Sequence, residues 1–204
     1  VVLSLCAGVI LGGGDSSEPV HPAGCVLEPV NHLEMTELRN IDYAMFSAVN
    51  GAAVGVGISF AGMAAMVIAA RSAYFLQAFA NIGLVPDGGA TWILPRLIGW
   101  GRAVELSLLA ERLPAAQALE WGLVNRVVDD ADLMTTAMEI SQRLANGPMS
   151  LGLIRRAYWD SLSNSYAEQF QHEANLQRIA GASDDNREGV KAFLEKRKPQ
   201  FKGT

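Results

Sequence analysis

The sequence predicts an α/β core followed by a helical C-terminal region. Short apolar runs alternate with helix-like segments up to about residue 129, and from Asp130 onward only helix-like segments remain. Half of the 204 residues are hydrophobic, which is enough for a substantial core. We therefore expect an α/β core over residues 1–129 and a helical region over residues 130–204.

Apolar runs, and the Gly and Pro residues that separate them, predict the strands and helices of the core. The predicted strands are Val1–Ser4, Met45–Val49, Met66–Ala70, Ala73–Leu76 and Val124–Val128. The predicted helices are Leu27–Arg39, a segment from about Val56, Ala90–Ile98, Arg102–Ala110 and Ala115–Trp121, the last with Pro114 at its first position. Leu11–Ser17 is expected to be a loop and Pro86–Gly89 a turn.

Four helices are predicted in the C-terminal region: Asp130–Ala145, Pro148–Ser161, Ser165–Ile179 and Asp185–Lys196. Their broad apolar faces are typical of helices that pack on another subunit, because a monomer rarely exposes a large apolar patch. The residues expected at such an interface are Met134, Met138, Leu151, Ile154 and Tyr158.

Charge and cysteine content exclude several classes of partner. The net charge of −5 gives no reason to expect a nucleic acid or an anionic membrane surface. Neither the two cysteines nor the three scattered histidines show metal-ligand spacing, so no metal is expected, and reduced thiols favour a cytoplasmic protein. No run is long and apolar enough for a membrane span. Val1–Gly14 lacks a basic segment and an initiator Met, which indicates a core strand of a longer protein rather than a signal peptide.

The segment Val49–Gly57 has the pattern of a strand, a tight turn and a helix start. Glycines let the backbone approach a ligand closely, and the first N–H groups of a helix lack partners within it. Such a segment could bind a phosphate or stabilise an enolate. The alternative is a helix that packs tightly on a strand through its glycines.

Four segments in order resemble the crotonase (enoyl-CoA hydratase/isomerase) superfamily: Val1–Ser4 with Leu11–Asp15, Ala48–Gly57, Gln77–Gly89 and Ala192–Pro199. The resemblance covers nearly the whole chain, although the opening strands of the family fold are missing from it. It implies a crotonase-like spiral of ββα/βαβ units with an α-helical C-terminal region, assembled as a homotrimer or a dimer of trimers. It also implies an acyl-CoA thioester as substrate, with no cofactor other than the coenzyme A that the substrate carries.

The resemblance also assigns site residues. The backbone N–H groups of Gly14 and Val56 would hold the thioester oxygen, and Asp15 would shape the first loop. The substrate-binding residues that it implies are Gly12, Gly14, Asp15, Ser16, Val56, Phe193 and Lys196. Phe193 and Lys196 match positions near the adenine end of coenzyme A, although Lys196 could equally be a solvated residue at a helix end.

The acid–base residues differ from those of the family hydratases. Ser59 and Phe79 stand where these enzymes carry glutamates, so classical hydration is disfavoured. Asp87 remains, in a pattern that resembles the PaaG-like branch of ring-opening and double-bond isomerases, where it would shuttle a proton. Phe79, Ile82 and Val85 are expected to desolvate its carboxylate and raise its pKa. The alternative is that Asp87 is an ordinary turn or helix-cap residue.

The sequence therefore predicts an enoyl-CoA isomerase that uses Asp87. Two other functions stay open. One is an enoyl-CoA hydratase with atypical acid–base residues, and the other is a non-catalytic acyl-CoA-binding member of the superfamily.

Overall fold

The computed structural model describes residues 2–5 and 32–204. It divides into two compact units. The first contains the described residues before position 40 together with residues 45–138, and the second contains residues 40–44 and 139–204. The predicted boundary at residues 129 and 130 stays a prediction.

The described chain mixes strands and helices up to residue 128, and helical segments follow. The strands are β1 (Val2–Leu5), β2 (Phe46–Val49), β3 (Ala52–Val54), β4 (Met66–Ala70), β5 (Tyr74–Leu76), β6 (Leu113–Pro114) and β7 (Arg126–Val128). The helices are α1 (His32–Asn40), α2 (Val56–Gly62), α3 (Ala90–Ile98), α4 (Trp100–Leu109), α5 (Ala115–Trp121), α6 (Leu133–Ala145), α7 (Ser150–Ser161), α8 (Tyr166–Ala182) and α9 (Asp184–Leu194). Single 3₁₀ segments cover Ala78–Ile82 and Asp130–Asp132.

The strands form two sheets, and the chain alternates between these sheets from β2 to β5. One sheet has the order β1-β2-β4-β7 with every pair parallel. In the other, of order β3-β5-β6, β3 is parallel to β5 and β5 is antiparallel to β6. Thus β2, β3 and α2 make one ββα unit, and β4 and β5 open the next. All of β2 and most of β4 are buried, as expected for parallel strands that are covered on both faces.

The predicted fold class is confirmed, with local differences. β4, α3 and α5 have the predicted bounds. Pro114 does not begin α5 but ends β6 and lies at the N-cap of the helix, with the extended ψ of 152°. The small residues of β3, expected to be a turn, form a strand because they pair with β5. The loop Leu11–Ser17 and the first part of the predicted helix Leu27–Arg39 lie outside the described residues.

In the second unit, a buried aspartate holds the C-terminal segment. The carboxylate of Asp185, at the start of α9, accepts hydrogen bonds from the backbone N–H groups of Met149 (2.9 Å), Lys202 (2.7 Å) and Gly203 (2.9 Å). Burial opposes ionisation of this carboxyl, but the backbone donors outweigh it and lower the pKa of Asp185. The end of the chain is thereby fixed to the first turn of α9.

The apolar residues expected at a subunit interface are on the surface of the single chain. Met134, Met138, Ile154 and Tyr158 are exposed, while Leu151 is partly buried. Assembly into a trimer stays a prediction. Within residues 2–5 and 32–204, no helix combines the length and apolar character that a membrane span needs.

Candidate functional site

The candidate site begins where β3 passes into α2. Gly55 adopts φ 56° and ψ −124°, a conformation that glycine tolerates, and its N–H donates to the carbonyl of Leu76 at 2.9 Å. Val56 is the first residue of α2 and its side chain is buried. Among the described residues, the N–H of Val56 has no hydrogen-bond acceptor in the protein. Within the described part of the chain, nothing competes with a ligand for this backbone donor.

The turn Pro86–Gly89 lies directly against α2. The hydroxyl of Ser59, which is fully buried, donates to the backbone oxygen of Asp87 at 3.0 Å. Gly88 has φ +58°, and a Cβ atom built on it would lie 2.6 Å from Cγ2 of Val56. Only glycine fits here without displacing its neighbour. The packing places Asp87 next to the helix that begins with the Val56 donor.

Asp87 is the only acidic residue between positions 43 and 104, and no histidine occurs in that range. The residue is partly buried, and its Oδ1 atom is fully buried. The N–H of Ala90 donates to the backbone oxygen of Asp87 at 3.0 Å, and Gly89 occupies the N-cap of α3 without a side-chain hydrogen bond. The N–H of Ala90 is thus already engaged by a backbone oxygen, and the alternative in which the carboxylate of Asp87 caps Ala90 or Thr91 stays a prediction. A carboxylate can move a proton, and a backbone donor can stabilise the negative charge that develops on an oxygen.

Gln77, which follows β5, was not predicted as a site residue. Its side chain is fully buried, and among the described residues neither the Nε2 nor the Oε1 atom of its amide has a hydrogen-bond partner. The sequence signal for it was a single amide within the otherwise apolar run from Tyr74 to Phe79. Buried polar groups without partners are rare in folded proteins, so this one needs an explanation.

Comparison with known proteins identifies the family of the chain. The enoyl-CoA hydratase/isomerase family matches residues 4–204. The chain belongs to this family. It is 43% identical over 201 residues to 1,2-epoxyphenylacetyl-CoA isomerase of Escherichia coli, covering 97% of this chain and 77% of the relative. It is 42% identical over 205 residues to a protein of Rhodobacter capsulatus named a probable enoyl-CoA hydratase, covering 98% of this chain and 77% of the relative.

A solved structure of similar fold is that of an enoyl-CoA hydratase subunit I from Geobacillus kaustophilus. It superposes with a TM-score of 0.83 at 37% sequence identity, covering 87% of this chain and 70% of the other. The crotonase-type fold implied by the four sequence segments is thereby confirmed.

The surroundings of Asp87 differ from what the sequence suggested. Phe79 is 8% exposed, but Ile82 and Val85 are 60% and 80% exposed. The expectation that all three residues shield the carboxylate is therefore wrong for Ile82 and Val85. The reason is that the chain runs along the surface from the end of the 3₁₀ segment to Pro86. Of the three, only Phe79 is buried, as the expectation requires.

The other predicted site residues either lie outside the described residues or belong to the second unit. Gly12, Gly14, Asp15 and Ser16 lie outside the described residues, so convergence of the N–H groups of Gly14 and Val56 stays a prediction. Phe193 and Lys196 belong to the second unit, where both are exposed. Lys196 has φ 54° and follows the C-cap of α9. Their predicted contact with coenzyme A stays a prediction.

Proposed function

We propose that this protein is an enoyl-CoA isomerase that moves a double bond along an acyl-CoA thioester, with Asp87 as the proton shuttle. The observation that carries the proposal is the packing of the turn of Asp87 onto α2, beside the N–H of Val56 that has no acceptor among the described residues. The similarity to an isomerase of an acyl-CoA supports the same reaction class.

The proposed reaction needs one base and one oxyanion site. The carboxylate of Asp87 takes a proton from the carbon next to the thioester carbonyl of a 3-enoyl-CoA. The electron pair moves into the thioester, and a dienolate forms whose oxygen accepts hydrogen bonds from the N–H groups of Val56 and Gly14. The carboxylic acid of Asp87 then returns the proton to the far end of the dienolate, which leaves the double bond conjugated with the carbonyl. Atoms and charge balance without a cofactor.

The rest of the proposal concerns binding and assembly. Gly12, Asp15 and Ser16 would line the loop that holds the thioester, and Phe193 and Lys196 would approach the adenine end of coenzyme A. A homotrimer, or a dimer of trimers, in the cytoplasm would cover the exposed apolar residues of α6 and α7.

Hydration is the second candidate, because one relative is named a probable hydratase. Ser59 does not favour it. Its hydroxyl already donates to the backbone oxygen of Asp87, and Phe79, at the other family position, has no ionisable group. A hydratase here would therefore have to use Asp87 alone to activate water and to deliver the proton.

The test compares Asp87→Asn with wild type on 3-hexenoyl-CoA, with Asp132→Asn as a control at an exposed carboxylate. Loss of a general acid–base residue typically lowers the rate by about 10²–10⁴-fold, so we expect kcat of Asp87→Asn to fall within that range. The control should keep its activity. Equal turnover by wild type and Asp87→Asn would overturn the mechanism.

Product analysis separates the other functions. Formation of 2-hexenoyl-CoA from 3-hexenoyl-CoA supports isomerisation, and formation of 3-hydroxyhexanoyl-CoA from 2-hexenoyl-CoA supports hydration. Wild-type protein that binds hexenoyl-CoA tightly in calorimetry but converts none of it would instead be a non-catalytic acyl-CoA binder.

A further inference from the structure

The turn that carries Asp87 is anchored at one buried residue. Residues 84–87 belong to no helix or strand, so the position of Asp87 depends on packing and on a few single hydrogen bonds. Between positions 81 and 89, Gly88 is the only residue that is buried as a whole. The side chains that pack against Gly88 therefore determine where the turn lies, and with it the carboxylate of Asp87.

The neighbours of Gly88 come from two different helices. A Cβ atom built on Gly88 would lie 2.6 Å from Cγ2 of Val56, 3.1 Å from Cβ of Ser59 and 3.1 Å from Cε of Met35. Val56 and Ser59 both belong to α2, whereas Met35 belongs to α1. The methyl group of Met35 thus borders the space that the missing side chain leaves open, and it is the contribution of α1 to the packing of the turn.

The burial of Met35 agrees with this contact. Among residues 35–40 of α1, Met35 alone is buried, with 8% of its surface exposed. The unbranched side chain of methionine is well suited to filling an irregular gap of this kind. A gap of about 0.5–1 Å between packed atoms already removes a quarter to a half of their attraction, so the contact opposes displacement of the turn.

We propose that Met35 is a positioning residue, which holds the carboxylate of Asp87 in place by packing against Gly88. This inference rests on the proposed function of Asp87 and extends the catalytic machinery to α1. A residue that acts only by placing the base should affect the chemical step and not the binding of the thioester. Loss of its side chain should therefore lower kcat and leave KM nearly unchanged.

The kinetic test compares Met35→Ala and Met35→Leu with wild type on 3-hexenoyl-CoA. Because a misplacement of about 1 Å can cost on the order of 10²-fold in rate, kcat of Met35→Ala should fall by roughly 10- to 10²-fold, with KM within a few-fold of wild type. Met35→Leu keeps nearly the same volume and should retain most of the activity. The matched control is Met63→Ala, since Met63 is also 8% exposed and lies at the C-cap of α2, at the far end of that helix from Val56. It should keep the wild-type kcat.

The same substitution in the Asp87→Asn background separates positioning from other roles. If Met35 acts through the carboxylate, Met35→Ala should cause little further loss once that carboxylate is gone. Single-turnover reactions with excess enzyme measure the low residual rates. An equal fall in both backgrounds would overturn the inference, because Met35 would then serve the fold in general. A rise in KM at unchanged kcat would also overturn it, because Met35 would then contact the substrate.

The position of the turn can also be measured without turnover. Asp87–Gly88 is the only Asp–Gly step in the sequence. Labelling the backbone carbonyl carbon of Asp with ¹³C and the nitrogen of Gly with ¹⁵N therefore selects the amide of Gly88 alone in a nuclear magnetic resonance spectrum. We expect Met35→Ala to shift this signal and Met63→Ala to leave it in place. An unchanged Gly88 signal in Met35→Ala would overturn the inference.

The two proposals fail in different ways. If Asp87→Asn keeps the wild-type turnover, the proton shuttle is wrong, whatever the Gly88 signal shows. If Asp87→Asn is inactive while Met35→Ala keeps both its kcat and the Gly88 signal of wild type, the shuttle stands and the role of Met35 is wrong.

Discussion

The hydroxyl of Ser59 donates a hydrogen bond to the backbone oxygen of Asp87 at 3.0 Å, across 28 residues of sequence. Ser59 stands in α2, at a position where family hydratases carry a glutamate. In this chain the hydroxyl of Ser59 instead links α2 to the turn that contains Asp87. One hydrogen bond therefore connects the position of the hydratase glutamate to the residue that we propose as the proton shuttle.

Replacing Ser59 by Ala should weaken the turn of Asp87. The buried carbonyl of Asp87 loses a donor, and we expect a loss of about 1 kcal/mol in the free energy of unfolding. Because Asp87 is less well positioned, kcat for 3-hexenoyl-CoA should fall while KM changes little. Urea denaturation and steady-state kinetics measure both effects.

The matched control for this change is Ser107→Ala. The hydroxyl of Ser107 bonds to the carbonyl of Ala103 one turn earlier in α4. Ala is a better helix former, so the control should be neutral or slightly more stable. Equal kinetic effects of the two substitutions would contradict a positioning role for Ser59.

Gly88→Ala should disturb the site more than Gly89→Ala. Both glycines have positive φ, +58° and +79°, so both substitutions incur backbone strain. Only the Cβ atom at position 88 meets neighbours, at 2.6 Å from Val56 Cγ2 and 3.1 Å from Met35 Cε, whereas position 89 has nothing within 4 Å. A displacement of the turn by about 1 Å can cost on the order of 10²-fold in rate. We expect kcat of Gly88→Ala to fall well below that of Gly89→Ala at similar folded fractions, as judged by circular dichroism.

The architecture could be predicted from sequence because its signals are local. Buried parallel strands are continuous apolar runs, which gave Met66–Ala70 its bounds, and Gly99 and Gly122 mark the ends of α3 and α5. β3 was missed because Ala52–Val54 has little strand propensity of its own. It becomes a strand only through its pairing with β5, some 22 residues later, as the register of Ala52 with Tyr74 shows.

The site was less accessible to prediction than the fold. Asp87 could be singled out from its motif, but its contact with Ser59 and the fit of Gly88 against Val56 depend on packing between distant segments. The exposure of Ile82 and Val85 could not be inferred, because apolar residues near a motif do not reveal which way the chain runs. Gln77 was missed for the same reason, since burial of its amide is a tertiary property.

Val56→Pro tests the backbone donor. Proline is tolerated at the first position of a helix and lacks the N–H, so the helix should still form while the oxyanion site loses one donor. Val56→Ala loses side-chain packing but keeps the donor, which makes it the control. Loss of an oxyanion donor lowers kcat by roughly 10²–10³-fold, so Val56→Pro should be slower than Val56→Ala by about that factor. Similar rates for the two variants would show that this N–H does not contact the reacting oxygen.

The final prediction concerns Glu188 and the pH dependence of stability. Its carboxylate accepts hydrogen bonds from Nη1 and Nη2 of Arg197, at 2.6 and 2.9 Å, and from the N–H of Gln200 at 2.8 Å. The hydrogen bond from Arg197 is the main reason that the pKa of Glu188 falls to about 2. Because the folded-state pKa lies below the unfolded value, the ionised carboxylate stabilises the fold above the unfolded pKa. This contribution is lost as the pH falls towards about 2.

Glu188→Gln should therefore lower the free energy of unfolding at pH 7, and the difference from wild type should shrink as the pH is lowered from about 5 to about 2. Urea denaturation at several pH values measures this difference. The variant Arg197→Met should show a similar narrowing but a larger loss at pH 7, because it also removes the 2.6 Å hydrogen bond from Arg197 to Glu195. The double variant should add little to the loss of Arg197→Met, because the Glu188–Arg197 interaction is already absent there. A difference between wild type and Glu188→Gln that stays constant down to pH 2 would show that Glu188 acts through packing rather than through its charge.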